Sequence, residues 1–299
     1  MSATQISAKD VGELRARTGA GMMDCKKALE EANGDMSAAV DVLRKKGIAK
    51  ADKRADRAAS EGQIVIWTSP DATVSAMIEL NCETDFVGRN DEFVALSKQI
   101  AEHLGQDAAV DGLVAVGSEG AYLSTPWAFD KSQTVGDIVK AASAKTGEKV
   151  ELRRIARFHS AGVVGSYLHF NGKAGVIAEV AGGNGEPAKE LGKHVSEHIA
   201  AGVPVVAIAV DKTGVSEEFL AKEREIFVAQ AVESGKPQAI AEKMVEGRIA
   251  KLLSEVTLVG QPWVRDDKQT IGDLVASTAK AAGQPLAVKR FVRFKMGES

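Results

Sequence analysis

A chain of 299 residues with 44% hydrophobic content and a formal net charge of −3 has room for two domains or one domain with appendages, and its composition is that of a globular protein. So small a charge gives no bulk field to draw it to nucleic acid or to a membrane surface. Met1 to Asp10 has no apolar signal-peptide core, no run reaches membrane-span length, and Cys25 and Cys82 lie too far apart to read as a redox or metal pair, so a soluble, reduced, cytoplasmic protein is expected.

Residues 1–55 predict three short helices. Ile6 and Val11 form an apolar staple around a capping Ser7, and Val11 and Leu14 begin a helix that Gly19 ends. Cys25, Ala28, Leu29 and Ala32 share one face of a second helix, closed by Asn33-Gly34. Asp35 caps a third, with Ala39, Val40 and Leu43 inward and Gly47 as its stop. A core this thin suits a docking module better than a catalytic one. The charged, Ala-rich stretch from Lys50 to Glu61 reads as a linker.

A core unit is expected over residues 56–160. Gln63 to Thr68 and Thr73 to Cys82 flank Ser69-Pro70-Asp71-Ala72 as paired strands. Val74, Ala76, Ile78, Leu80 and Cys82 alternate with Thr73, Ser75, Glu79 and Asn81, which predicts a strand with a single buried face. The strand ends in Asn81-Cys82-Glu83-Thr84-Asp85-Phe86-Val87. Gly88-Arg89-Asn90 then interrupts the chain. Asp91-Glu92 opens a helix with Phe93, Leu96, Ile100 and Leu104 on one stripe. Phe86 has two readings. Seven residues before Phe93, it falls on the same stripe of a helix that starts early, and on pattern alone this core position leads. Held instead at the junction, which the Gly88 break favours, it is an anchor for a partner's pocket.

The rest of the chain repeats this unit. Trp127, Asp130, Gln133-Thr134, Gly136-Asp137 and Val139 recur as Trp263, Asp266, Gln269-Thr270, Gly272-Asp273 and Val275, a displacement of 136 residues from Trp127 to Trp263. Arg154, Arg157 and Phe158 recur at the same displacement as Arg290, Arg293 and Phe294. Upstream, Glu79-Leu80 resembles Glu179-Val180, displaced by 100, and Glu102-His103-Leu104 resembles Glu197-His198-Ile199, displaced by 95. The second half, expected over 161–210 and 250–299, therefore contains an insert. Ser216 to Ser234 and Gln238 to Ser254 read as two antiparallel helices turning at Gly235-Lys236-Pro237, a hairpin placed at 211–249. Phe219, Ile226 and Phe227 mark the apolar side of one helix, Ile240 and Met244 that of the other. Val163 to Phe170, Asn171-Gly172 and Val176 to Val180 predict a strand hairpin. The expected fold is α+β: a three-helix bundle, then two related units, each a small antiparallel sheet with helices on one side.

No catalytic constellation can be assembled. Phosphate-loop, dinucleotide and His-Glu-x-x-His motifs are missing, and Gly182-Gly183-Asn184-Gly185 reads as a plain loop. His103 and His198 occupy matching positions, which favours inherited packing. Nucleic-acid binding is the stronger rival, resting on Lys45, Lys46, Lys50, Lys53, Arg54 and Arg57, and on the strands bearing Lys149, Arg153, Arg154 and Arg157 or Lys289, Arg290 and Arg293. Interleaved carboxylates and only 5% aromatic residues favour solvated charged faces instead.

Three segments carry a family resemblance: Arg17-Thr18-Gly19-Ala20-Gly21-Met22-Met23-Asp24-Cys25-Lys26-Lys27-Ala28-Leu29, Asn81 to Val87, and Ser234-Gly235-Lys236-Pro237 with Ile240 to Arg248. In this order they resemble the bacterial elongation factor Ts family, the guanine-nucleotide exchange factors of elongation factor Tu, over nearly the whole length. The resemblance implies a ubiquitin-associated type of bundle that docks on the GTPase domain through Arg15, Met22 and Met23. It implies that Thr84, Asp85, Phe86 and Val87 intrude beside the nucleotide site, Phe86 wedged between helices and Asp85 in polar contact, to dislodge Mg²⁺ and loosen the phosphate loop. His169 matches a position near the partner. No catalytic residue, metal or cofactor of its own is implied, nor direct nucleic-acid or membrane binding; the chain is expected to be a monomer alone and a heterodimer with elongation factor Tu. Thr146 stands where other members carry an apolar residue. The chain ends soon after Gly297, so a tail contact made by some members is expected to be missing.

Overall fold

The computed structural model describes residues 6–52, 54, 56–117, 120–233 and 238–298. Three helices come first: α1 (Ala8–Thr18), α2 (Met22–Glu31) and α3 (Met36–Asp52). Ser7 and Asp10 form a reciprocal capping box, and Gly19 closes α1 in the left-handed conformation at φ 67°. Val11, Leu14, Cys25, Ala28, Leu29 and Ala39 are the small core. α3 does not stop at Gly47. There the helix lies so close to α6 (Val135–Thr146) that a Cβ would sit 2.9 Å from that of Ala144, so this glycine serves close packing and the helix continues to Asp52. The expected linker is correspondingly shorter. The side chains of Lys50 and Lys53 lie outside the described residues.

The first half continues as β1 (Glu61–Thr68), β2 (Val74–Cys82), the single turn α4 (Asp85–Gly88), α5 (Asp91–Gln106), β3 (Gly112–Ala115), α6 and β4 (Glu151–His159). The second half holds β5 (Val163–Leu168), β6 (Ala174–Ala181), α7 (Glu186–Ala201), α8 (Glu217–Glu233), α9 (Gln238–Val256), a short β7–β8 hairpin (Pro262–Trp263 and Asp266–Thr270), α10 (Ile271–Ala282) and β9 (Ala287–Lys295). The strands form two antiparallel sheets, ordered β1-β2-β4-β3 and β5-β6-β9. The fold is thus α+β, with β3 and the β7–β8 hairpin beyond what periodicity signals; both are too short to show it.

One face of each sheet is covered by its own helices: Ile78, Leu80 and Leu152 pack on Phe93, Ile100 and Val139, while Val176, Val180 and Val288 pack on Leu191, Val195 and Ile271. The two remaining faces meet. Ile64, Met77, Ala156, Phe158, Val164, Ile177 and Phe294 make a third core between the sheets. β2 is therefore buried on both faces, not one, and Ser75, Met77, Glu79 and Asn81 are as inaccessible as their apolar neighbours. Alternation marks which residues share a face but not whether a second sheet covers the polar one.

Burying Glu79 requires a partner. Arg154, opposite it on β4, donates Nε at 2.6 Å, and its guanidinium carbon lies 4.4 Å from the ring centre of Phe294 on the other sheet. The second half reciprocates: Arg290 donates to Glu179 at 2.7 Å and stacks 4.2 Å above Phe158. Arg157 reaches the carbonyls of Gly105 and Val110. The strand arginines are consequently not the solvated faces expected from sequence.

α8 and α9 pair through a stack of Arg248 on Phe227, Arg224–Glu246 and the buried Ala231, Val245 and Ile249. Phe219 packs at the base of the hairpin and Phe227 under Arg248, as expected, while Ile226 and Met244 remain substantially exposed. The turn at 234–237 and the side chain of Ile240 lie outside the described residues. At its base the excursion closes on itself, where Ile208 N–H meets Val256 O and Leu258 N–H meets Ala209 O, both at 2.9 Å.

The matched histidines do matched work. His103 Nδ1 accepts the N–H of Ala128 and His198 Nδ1 that of Val264, each at 3.2 Å, so each imidazole pins the residue after a repeated Trp. Burial lowers both imidazoles below their ordinary value, and for His198 this outweighs the Gln261 hydrogen bond. The folded state thus binds fewer protons than the unfolded chain. Stability is full above the free imidazole value near 6.5 and is lost as pH falls below it. The melting temperature should drop between about pH 7 and about pH 5.5, and the drop should flatten in the His103→Gln/His198→Gln double variant. Glu79→Ala, which strands a buried guanidinium, should cost about 3 kcal/mol in urea unfolding, and Glu179→Ala less, because Arg290 is more exposed and keeps Asp111.

Candidate functional site

In the first half, the most exposed large aromatic of the described residues stands on a well-braced backbone. Phe86 is 84% exposed on α4, so the core placement is not realised; the residue points away from the stripe of Phe93. Thr84 caps the turn by accepting the N–H of Val87 at 3.4 Å. Val87 packs inward against the first-half core, and Asp85, half-exposed, pairs with Arg89 at 3.2 Å. The four residues thus divide into one cap, one charged group, one outward aromatic and one inward plug.

Four contacts fix the turn to the scaffold. Glu148, just beyond the left-handed cap Gly147 of α6, accepts the N–H groups of Glu83 and Thr84 at 3.1 and 3.0 Å and the Thr84 hydroxyl at 2.6 Å. Glu83 answers by accepting Lys149 N–H at 2.6 Å; that bond, helped by Arg57, holds the Glu83 carboxyl below its ordinary range. Gln63 donates to Gly88 O at 2.7 Å. Finally Gly88 lies on Gly62, whose own φ of 135° is open only to glycine and where a Cβ would collide with Leu80 O. Thr146 takes part as well: its hydroxyl accepts Glu148 N–H at 3.3 Å and donates to Ala142 O at 2.9 Å, a polar support for the clamp.

The other candidates lie on the bundle and at the tip of the β5–β6 hairpin. α3 packs on α6, tied by Arg44–Asp137 at 3.3 Å and by Arg54, just past α3, to Ser143 O at 3.1 Å, so the bundle bears on the helix that leads into Glu148. Arg15 is exposed there, with Met22 (49%) and Met23 (62%) at the start of α2. His169, half-buried beyond β5, bonds Tyr167 Oη through Nδ1 at 3.0 Å. Its neighbour Phe170, 92% exposed, carried no signal in the sequence reading beyond ending a strand. This hairpin tip is held by Ile64 N–H to Gly172 O at 2.8 Å, beside the Gln63 that holds Gly88.

Cys82 lies under the turn with its thiol against Thr84 O at 3.1 Å; burial first, then the Glu148 charge, pushes it up to about 12, which leaves no nucleophile. Among the described residues no three His, Cys, Asp or Glu side chains gather as a metal site, and no helix is long and apolar enough to cross a membrane.

Glu148 and Gly62 escaped sequence reasoning because their contacts to the turn span 26 to 65 positions. One signal was available. The displacement between halves falls from 100 at Glu79/Glu179 to 95 at His103/His198, so the first half holds five residues here that the second lacks, and they are the turn. Residues of this turn are not bound to the repeat's core pattern: Val87 packs inward and Phe86 does not.

The sequence model of the family described as Elongation factor TS matches residues 83–298. The chain is 48% identical over 297 residues to Elongation factor Ts of Thioalkalivibrio sulfidiphilus, covering 98% of this chain and 92% of that one. It is 45% identical over 296 residues to Elongation factor Ts of Methylococcus capsulatus, with 98% and 92% covered. Against that of Chlorobium phaeobacteroides it is 41% identical over 295 residues, with 98% and 99% covered.

Glu148→Ala removes the acceptor for two backbone N–H groups and one hydroxyl. Amide exchange at Glu83 and Thr84 should accelerate by about tenfold or more while β2 stays protected, as hydrogen-exchange mass spectrometry or NMR would report.

Proposed function

Because this chain belongs to the elongation factor Ts family, we propose that it is the guanine-nucleotide exchange factor of elongation factor Tu in translation elongation, acting by binding and not by bond chemistry. The observation that carries the site assignment is Phe86: a large aromatic, almost wholly exposed, on a turn whose backbone is fixed at four points. An apolar side chain left in water on a rigid support has its ordering cost already met, which is the condition for a binding anchor.

In this reading Phe86 enters between helices of the GTPase domain, Asp85 makes polar contacts beside it, and Thr84 and Val87 hold both in place. The displacement dislodges Mg²⁺ and loosens the phosphate loop. Mg²⁺ and backbone N–H groups hold the diphosphate electrostatically, so loss of the ion leaves phosphate charge uncompensated and GDP departs. Coupling is reciprocal: the chain binds empty elongation factor Tu more tightly than the nucleotide-bound form by the same factor that it weakens nucleotide, and GTP expels it in turn.

Residues 1–55, through Arg15, Met22 and Met23, dock on the GTPase domain; 56–160 present the turn; 161–210 and 250–299 form the second half of the core, with His169 near the partner; 211–249 project as the hairpin. The chain acts in the cytoplasm as a monomer that forms a heterodimer with elongation factor Tu.

Release of fluorescent GDP from elongation factor Tu tests this. Catalytic amounts of the chain should speed release greatly, and Phe86→Ala should reduce the coupling by about thirtyfold, roughly 2 kcal/mol. Unchanged exchange in Phe86→Ala would remove the anchor from the site; no acceleration by the wild-type chain would remove the function.

A further inference from the structure

The internal duplication provides a comparison within the molecule. Arg157 satisfies the end of α5, donating Nε to Gly105 O at 3.1 Å and Nη1 to Val110 O at 3.0 Å. Its counterpart Arg293 faces the end of α7 and makes neither bond. Its side chain is nine-tenths buried, and its Nε–H has no acceptor among the described residues. A buried N–H without an acceptor is costly, so the hydrogen bonding of this side chain is incomplete as it stands.

Arg293 lines a groove of about 680 Å³ between α7 and the ends of β5, β6 and β9, with Tyr167, His169, Arg265 and Lys295 on its walls. Arg265 is engaged by Glu197 at 2.6 Å. Arg293 and Lys295 share one carboxylate, that of Glu298: Oε2 meets Arg293 Nη1 at 2.6 Å and Oε1 meets Lys295 Nζ at 3.0 Å. Although burial opposes it, these bonds hold the Glu298 carboxyl below its ordinary range. A half-exposed side chain of the chain itself thus shows Nη1 of Arg293 donating to a carboxylate while Nε–H is left unused.

We infer that this groove is a carboxylate site for an acidic side chain of the GTPase partner, which takes the Nε–H and Nη–H fork of Arg293 and displaces Glu298. The inference rests on the exchange-factor reading for its occupant. The partner is favoured over a free anion by continuity: the wall formed by His169 leads to the exposed Phe170, and that tip is anchored beside Gln63, which also holds the Phe86 turn. Arginine suits the task because its planar fork matches a carboxylate and keeps its charge when buried.

Two measurements separate the site from its occupant. In Glu298→Gln, titration with tetraglutamate should shift the Arg293 Nε–H resonance saturably, an effect abolished by salt; no shift overturns the carboxylate site, whatever the chain's partner. With nucleotide-free elongation factor Tu and the full chain, Arg293→Gln should weaken the complex about tenfold, Glu298→Gln should tighten it, and the double variant should match Arg293→Gln. Arg293→Lys, which keeps the charge and loses the fork, should also weaken it at an unchanged urea midpoint. Wild-type affinity in Arg293→Lys and Arg293→Gln overturns the docking while leaving exchange through Phe86 intact. A wild-type chain that binds no elongation factor Tu overturns the functional reading and this occupant together, and the glutamate titration still decides the site.

Discussion

The fold depends on two ion pairs held between two sheets. Glu79 and Arg154 belong to the first half, yet the guanidinium lies on Phe294 of the second; Glu179 and Arg290 belong to the second and lie on Phe158 of the first. Each half completes its own ion pair and supplies the aromatic face that shields the other's. A lone sheet of either kind would expose this face to water, where the ion pair and the stack would each be worth little. Burial raises the stakes in both directions. A seam satisfied in this way fixes register, since a slip of one residue would move Glu79 to the helix side of β2.

From that seam the candidate site gains its stiffness. β1 and β2 are pinned between sheet and helices, so Gly62 and Gln63 offer the turn an immobile floor, and α6 brings Glu148 to its edge. The turn needs no core of its own: Val87 borrows that of the first half, and Phe86 is left facing outward. Exposure of an aromatic is tolerable here because the backbone beneath it is satisfied bond by bond. The bundle joins the same assembly by lying on α6 through Gly47 and Arg54.

Much of this was legible in the sequence, for stated physical reasons. Caps, left-handed glycines and periodicity located α1, α2 and α5 because these signals are local, and the repeated Trp and Arg segments exposed the duplication directly. Local signals misled where a distant surface decided the outcome. Gly47 looks like a helix stop until α6 is known to press on it, and the polar face of β2 looks solvated until a second sheet covers it. Phe86 looked like a core residue because a spacing of seven is ambiguous unless the chain is known to be helical throughout. The family resemblance supplied the partner, which no periodicity encodes.

The α8–α9 excursion closes at its base, where the strand-like segment around Ala209 pairs with residues following α9 before the chain rejoins the repeat. The core therefore sees two adjacent backbone ends at a fixed separation and nothing of what spans them. Such a closed neck makes the position a socket: its length can be altered, or its contents exchanged, with little change in loop-closure entropy and none in the seam or the Phe86 turn. In evolution and in engineering alike, this is where the molecule has latitude to acquire an additional attachment while the Phe86 turn keeps its geometry.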